Sequence, residues 1–388
     1  MKLMEFDRRK FMRTIGGASL ITGLSPYLWA GQKPVHPPFF RSGTSDPQEA
    51  SWKSIGGRIY GAKPDESGPL GGGDHYGGII TRGDFEVSDL GGLIEALEQA
   101  KPGDVVYIPD EHVIDLTTFV YIDKFVLEIP EGVILAGNRG SNGSLGAILV
   151  SDALNTPVLI RALGPGVRIT GLRIQGPNPK RYMEHHRKSF SKGGPGHDYY
   201  YKFPVSNGIE TSFDALTVDN CDISAFSQSG ISLKGGRDHD LHHNFIHHCQ
   251  YNGLGYGISS RKSSSLIEYN LFDHNRHSIA GTGVSGCSYT ARHNVELGTS
   301  LSHCFDMHGG KDRKDGTIIA GSDIQIYNNT FRAPEFAIGI RGEAENECLI
   351  YQNWFVRHES MDEAVRPYPY QKRTVYDNIY GKNPSRSQ

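Results

Sequence analysis

A repeat restricts what this chain can fold into more than any other feature. From Leu216 onward, a unit combining an aliphatic residue, an asparagine and a further apolar residue returns at Asn220, Asn244, Asn270, Asn294, Asn329, Asn353 and Asn378. The spacings are 24, 26, 24, 35, 24 and 25 residues, and the long interval contains a polar stretch, 311–322, of a length suited to one inserted loop. A period in the low twenties is one coil of a parallel β-helix, in which three short strands and three turns complete a circuit before the next rung stacks on it at about 4.8 Å. Asparagine at a fixed turn has a physical reason. Its amide bonds the matching amide above and below, and it tolerates the left-handed backbone that tight corners need. Leucine-rich and propeller repeats of similar length carry leucine or Trp-Asp patterns that this sequence lacks.

Composition agrees with many short strands joined by turns. The chain has 388 residues with 48 glycines, 19 tyrosines and 17 histidines, and its 37% hydrophobic content suits neither a disordered nor a membrane protein. Residues 90–99 have helical spacing, and Lys101-Pro102-Gly103-Asp104 and Val105-Val106-Tyr107-Ile108-Pro109 follow. That helix-turn-strand would close the open end of a stack. Short strands are expected at 125–129, 133–135, 158–160 and 167–174.

A helix, then Ala-Lys-Pro-Gly-Asp, Tyr-Ile-Pro and asparagine-marked coils together resemble the pectate-lyase-like right-handed β-helix superfamily. The resemblance covers roughly residues 88–380. It implies an all-β chain forming a single-stranded right-handed parallel β-helix with an N-terminal capping helix. Insertions fall at about 178–204 and 311–322, an extension at 31–87 and a tail at 381–388. The superfamily holds lyases, glycosidases, epimerases and non-catalytic proteins, so the fold does not name a reaction.

Residues 1–30 read as an export leader. Asp7-Arg8-Arg9-Lys10-Phe11-Met12 is a twin-arginine pattern, and the apolar run 15–28 behind it is too short to span a bilayer. A periplasmic or secreted product is expected, with no membrane insertion once the leader is gone. Without those residues, 35 basic side chains face 41 acidic ones, a net charge of −6 that excludes nucleic acid as the partner. The five cysteines lack the paired spacing of a zinc or disulfide framework and read as buried small hydrophobes.

Aligning the strand after each asparagine turn by its aliphatic residues places Lys234, Arg261, Thr282, His308 and Arg341 at one outward position on successive coils. Like charges stacked about 5 Å apart repel unless an anion covers them. An acidic polysaccharide with a carboxylate on each sugar is the expected partner, and a monomer is expected. The interruption at 178–204 adds Lys180, Arg181, His185, His186, Arg187, Lys188 and Lys192 with Tyr182, Tyr199, Tyr200 and Tyr201. Loops of this length inside compact domains usually serve function.

β-Elimination of a uronate chain needs the carboxylate neutralised, the C5 proton removed and the leaving oxygen protonated. Ile-Ser-Leu-Lys234-Gly and, one coil on, Gly-Ile-Ser-Ser-Arg261-Lys resemble the Lys and Arg pair of polysaccharide lyase family 6, the alginate and dermatan lyases. That resemblance implies Lys234 as base and Arg261 as its partner. The family's arginine is normally followed by His-Gly, whereas Lys262-Ser263 stands here, so kinship rather than membership is implied.

A second set competes: His277 or His308 as acid or base, paired with Tyr256. Arg276, His274, Arg341, Asp306 and Tyr200 are the expected substrate contacts. His303, Asp306 and His308 could offer metal ligands from one strand. Whether the chain takes Ca2+, another ion or none stays open, as do a glycoside hydrolase, an epimerase and a purely glycan-binding β-helix.

Overall fold

The computed structural model describes residues 50–384 apart from 111, 370 and 371. The expected leader and half of the expected tail lie outside the described residues.

Three parallel sheets wind around one another along the chain. The first runs from Phe85–Glu86 to Thr374–Tyr376, the second from Val113–Asp115 to Ile379–Tyr380, and the third from Leu127–Ile129 to Ile338–Ile340. Each strand pairs with its counterpart one coil away, so neighbours in every sheet are remote in sequence. The helix Leu90–Gln99 lays Leu93, Ala96 and Leu97 onto the core at the first coil, as a cap. Asp89 accepts the Gly92 N–H at its start. All five cysteines are buried and free. Among the described residues, no helix is long and apolar enough to cross a membrane.

Inward positions stack like with like. In the third sheet, Ile160, Ile209, Ile231, Ile258, Ile279, Phe305 and Ile338 form one column. Burying each such side chain contributes about 1.5–3 kcal/mol. One member of the corresponding column in the second sheet breaks the pattern: Glu296 lies between Phe272 and Phe331, wholly buried.

The asparagine ladder runs as expected from Asn244 to Asn378, each Oδ1 accepting the backbone N–H and Nδ2–H of the asparagine one coil earlier. Asn220 does not belong to it. Strand register pairs Asp219 with His242, so Cys221 holds the ladder position, and its N–H donates to Asn244 Oδ1. The left-handed corner is likewise one residue earlier than expected. Asn220, His243, Tyr269, His293, Asn328, Gln352 and Asp377 have φ between 49° and 54°, leaving each ladder asparagine free to use its side chain.

The extension forms a hairpin, Trp52–Ile55 with Arg58–Gly61, set against the last coils through Tyr60, Trp354 and Ile379. It then runs back along the ladder corner, where Gly73 N–H donates to Asn220 Oδ1 and the Tyr76 hydroxyl to Asp219. The insertion at 178–204 is largely helical, with Pro179–Phe190 and His197–Tyr200. The later insertion contributes a short turn of helix, Gly310–Arg313.

Candidate active site

The expected outward column is present. Successive strands pair Leu233 with Ser260, Gly281, Met307 and Ile340, and the ladder continues one residue further: Arg261 N–H donates to Leu233 O, Thr282 to Ser260, His308 to Gly281 and Arg341 to Met307. Lys234, Arg261, Thr282, His308 and Arg341 therefore stack on one face. They do not act as one set. Lys234 and Arg261 are exposed, Lys234 lying 3.8 Å from Glu210, whereas His308 and Arg341 belong to a tight network at the C-terminal end of the column.

That network centres on Asp306, which has no exposed surface. Its outward column runs Ser232, Ser259, Ala280, Asp306, Gly339, so small neighbours leave room around the carboxylate. Oδ1 accepts from His303 Nε2 at 2.7 Å and Arg341 Nε at 2.8 Å; Oδ2 accepts from His308 Nε2 at 2.9 Å and Arg341 Nη2 at 3.1 Å. Burial alone would raise the Asp306 pKa, but the surrounding imidazoles of His277, His303 and His308 hold it well below the usual carboxylate range. A carboxylate so enclosed positions its donors and has no free edge to offer a sugar.

His277 lies beside it, between coils. Its ring lies nearly parallel to Tyr256, 5.9 Å away on the preceding coil, and 4.1 Å from His303 on the next. Nδ1 contacts the backbone oxygen of His303. A carbonyl only accepts, so Nδ1 carries the proton and Nε2 carries a lone pair. That Nε2 is buried without a partner. Burial pushes the His277 pKa well below its ordinary value, against the opposing pull of Asp306. Burial lowers His303 as well, and raises Tyr256 so that its phenol stays protonated. The Arg276 guanidinium sits 5.9 Å from the centre of the Tyr256 ring and donates to Leu254 O at 3.3 Å.

Tyr256, Arg276, His277, Asp306, His308 and Arg341 thus converge. Four other expected site residues, Tyr200, His274, Lys234 and Arg261, do not join them. Tyr200 is 1% exposed and packs against Tyr251 and His185 inside the insertion, with no open ring face for a sugar. His274 turns to a separate corner, paired with Asp273 at 2.8 Å and stacked on His248 at 4.6 Å. Lys234 and Arg261 lie two coils and one coil before the strand of His277, about 10 and 5 Å along the axis at the usual rung spacing.

Sequence reasoning grouped His303 with Asp306 and His308, as a competing constellation and as metal ligands, without a catalytic role for it, and overlooked Asp312 and Gly339. Asp312 meets Arg341 Nη1 at 3.5 Å. A Cβ on Gly339 would stand 2.8 Å from His303 Cδ2, so only glycine leaves that imidazole in place. The His-x-x-Asp-x-His spacing at 303–308 was the available signal.

No curated protein matches the sequence significantly. Solved structures of similar shape include an alginate lyase from Paenibacillus sp. str. FPU-7, 13% identical with a TM-score of 0.36, covering 76% of this chain and 97% of that one. Another is a Family 28 exopolygalacturonase from Yersinia enterocolitica, 15% identical with a TM-score of 0.37, covering 79% and 66%. At such identities the likeness concerns fold alone. Residues 202–364 match the family described as right handed beta helix region, and with the three stacked parallel sheets this gives the chain a right-handed parallel β-helix fold.

Proposed function

We propose that this chain is a carbohydrate-active enzyme that cleaves a uronic-acid-containing polysaccharide by β-elimination, exported by its twin-arginine leader. The observation that carries the reading is the neutral His277, buried with a bare Nε2 lone pair between Tyr256 and the Asp306 network, with the Arg276 guanidinium over the Tyr256 ring. Arg276 neutralises the sugar carboxylate and makes C5–H acidic. His277 Nε2 takes that proton, the C5–H electron pair becomes the C4–C5 double bond, and the C4–O bond breaks. The protonated phenol of Tyr256 or the His308 imidazole gives a proton to the leaving oxygen. Asp306 and Arg341 hold His303 and His308 in register, and Lys234 and Arg261 take carboxylates of flanking sugars.

Hydrolysis needs two carboxyl groups about 5–10 Å apart, one of them protonated. Asp306 meets neither demand, being enclosed and held ionised, and Asp312 is engaged by Arg341.

The test is ultraviolet absorbance from the unsaturated uronate on alginate, pectate, ulvan and glycosaminoglycans. His277→Ala is expected to lower kcat by about 10²–10⁴, while Lys234→Ala raises KM with kcat close to wild type. New reducing ends without absorbance would replace elimination by hydrolysis, and no product from any glycan would leave binding alone.

A further inference from the structure

We infer that His277, His303 and Asp306 form a binding site for a first-row divalent transition ion of the Zn2+ type. One donor atom from each lies within 4.8 Å of the others, and all three side chains are buried. Two imidazoles with one carboxylate suit Zn2+, Co2+ or Ni2+, whereas Ca2+ and Mg2+ prefer six or more oxygens. The independent sign is His277 Nε2, whose lone pair is buried and has no partner. A buried polar atom left unsatisfied costs about 1–3 kcal/mol, and an ion would remove that cost.

The geometry is close to what an ion needs. His303 Nε2 and Asp306 Oδ1 stand 2.7 Å apart around a shared proton. Ligand atoms around tetrahedral Zn2+, with bonds of about 2.0–2.2 Å, sit roughly 3.3 Å apart. That pair must therefore open by about half an ångström while His277 closes in. The ion enters where the Nε2 proton was. That proton passes to solvent and His303 Nδ1, 3.4 Å from Ser302 Oγ, takes one up, so the imidazole stays neutral.

The carboxylate is already oriented from behind by Arg341 Nε and by His308 on Oδ2, as ligating carboxylates commonly are. Arg341 also opposes the ion, since Nη2 lies 3.4 Å from His303 Nε2, and it makes the site weaker than the same ligands would be without a guanidinium. The fourth position is left to water. If the proposed reaction is right, the ion inhibits it, because it takes the His277 lone pair that removes the C5 proton.

Calorimetry on the exported chain with ZnCl2 and CaCl2 tests the site, with visible absorption of bound Co2+ reporting a low-coordinate geometry. One Zn2+ per chain and no Ca2+ heat are expected for wild type. His277→Ala should weaken Zn2+ by at least about 100-fold, and His308→Ala by no more than about tenfold. Thermal melts of each variant show that the fold persists. Absence of Zn2+ heat in wild type, or unchanged affinity in His277→Ala, overturns the site. Zn2+ binding by a chain that cleaves no glycan upholds the site and counts against the catalytic reading alone.

Discussion

Replacing Asp306 by asparagine probes the centre of the network with almost no change of shape. The carboxylate accepts four hydrogen bonds from three residues. An asparagine amide has one acceptor oxygen, and its NH2 must face either the pair His303 Nε2 and Arg341 Nε or the pair His308 Nε2 and Arg341 Nη2. A histidine can change tautomer and accept; a guanidinium cannot. At least one Arg341 N–H is left without a partner, and its charge keeps only the 3.5 Å contact with Asp312. Breaking a buried ion pair from one side costs about 3–5 kcal/mol, and the surviving Asp312 contact favours the lower part of that range. For a chain of this size the melting temperature should fall by roughly 5–10 °C.

The pH dependence has a definite sign. The folded Asp306 pKa is depressed, so its contribution is complete above the unfolded value of about 3.9 and disappears as the pH falls through the lower folded value. Melting followed by circular dichroism should show a constant gap between wild type and Asp306→Asn from neutral pH down to about 5, narrowing in stronger acid. A variant that melts within about 1 °C of wild type at neutral pH, or a gap that persists unchanged in acid, would refute the assignment of Asp306 as the ionised anchor.

Glu296→Leu should stabilise the chain by about 1–3 kcal/mol, since the carboxyl group is buried between Phe272 and Phe331 with the Ser278 hydroxyl to set against its desolvation. Burial raises the folded Glu296 pKa well above its ordinary value, so wild-type stability falls as pH rises from about 4.3 toward that value; melting curves of the leucine variant should be flatter, and an unchanged slope would disprove this. Asn294→Ala strands the N–H groups of Asn270 and the Ile267 carbonyl in the core and should cost about 3 kcal/mol or more in thermal melts. Gly339→Ala should push His303 away from Asp306 and lower glycan turnover at least about tenfold, with the melting temperature only slightly changed.

The coil architecture was legible because stacking forces like residues onto like positions, and a column of buried isoleucines or hydrogen-bonded asparagines leaves a period in the sequence. The single-residue error at Asn220 shows the limit of that signal. The 23-residue coil that starts at Asp219-Asn220-Cys221 looks like its neighbours by composition, yet the pairing of Asp219 with His242 gives the corner to Asn220 and the ladder position to cysteine. Only the hydrogen bonds distinguish an asparagine that turns the chain from one that joins its neighbours.

The site was harder to read for a related reason. Strict alternation from the inward Ile279 would send His277 into the core, on the face that Ile279 occupies. The register has an irregular step here: Ser229, Tyr256 and His277 pair with one another, as do Ile231, Ile258 and Ile279, while the residue between them falls out of the pairing in each coil. His277 stays wholly buried there, against His303 and beside Asp306. The irregular step also explains why Lys234 and Arg261, which obey simple alternation, were easy to align and yet stand outside the buried network. Regular positions supply a charged surface along the axis, and the irregular corner, where backbone and side chains are held from two coils at once, supplies His277 Nε2, a buried imidazole nitrogen with nothing bound to it.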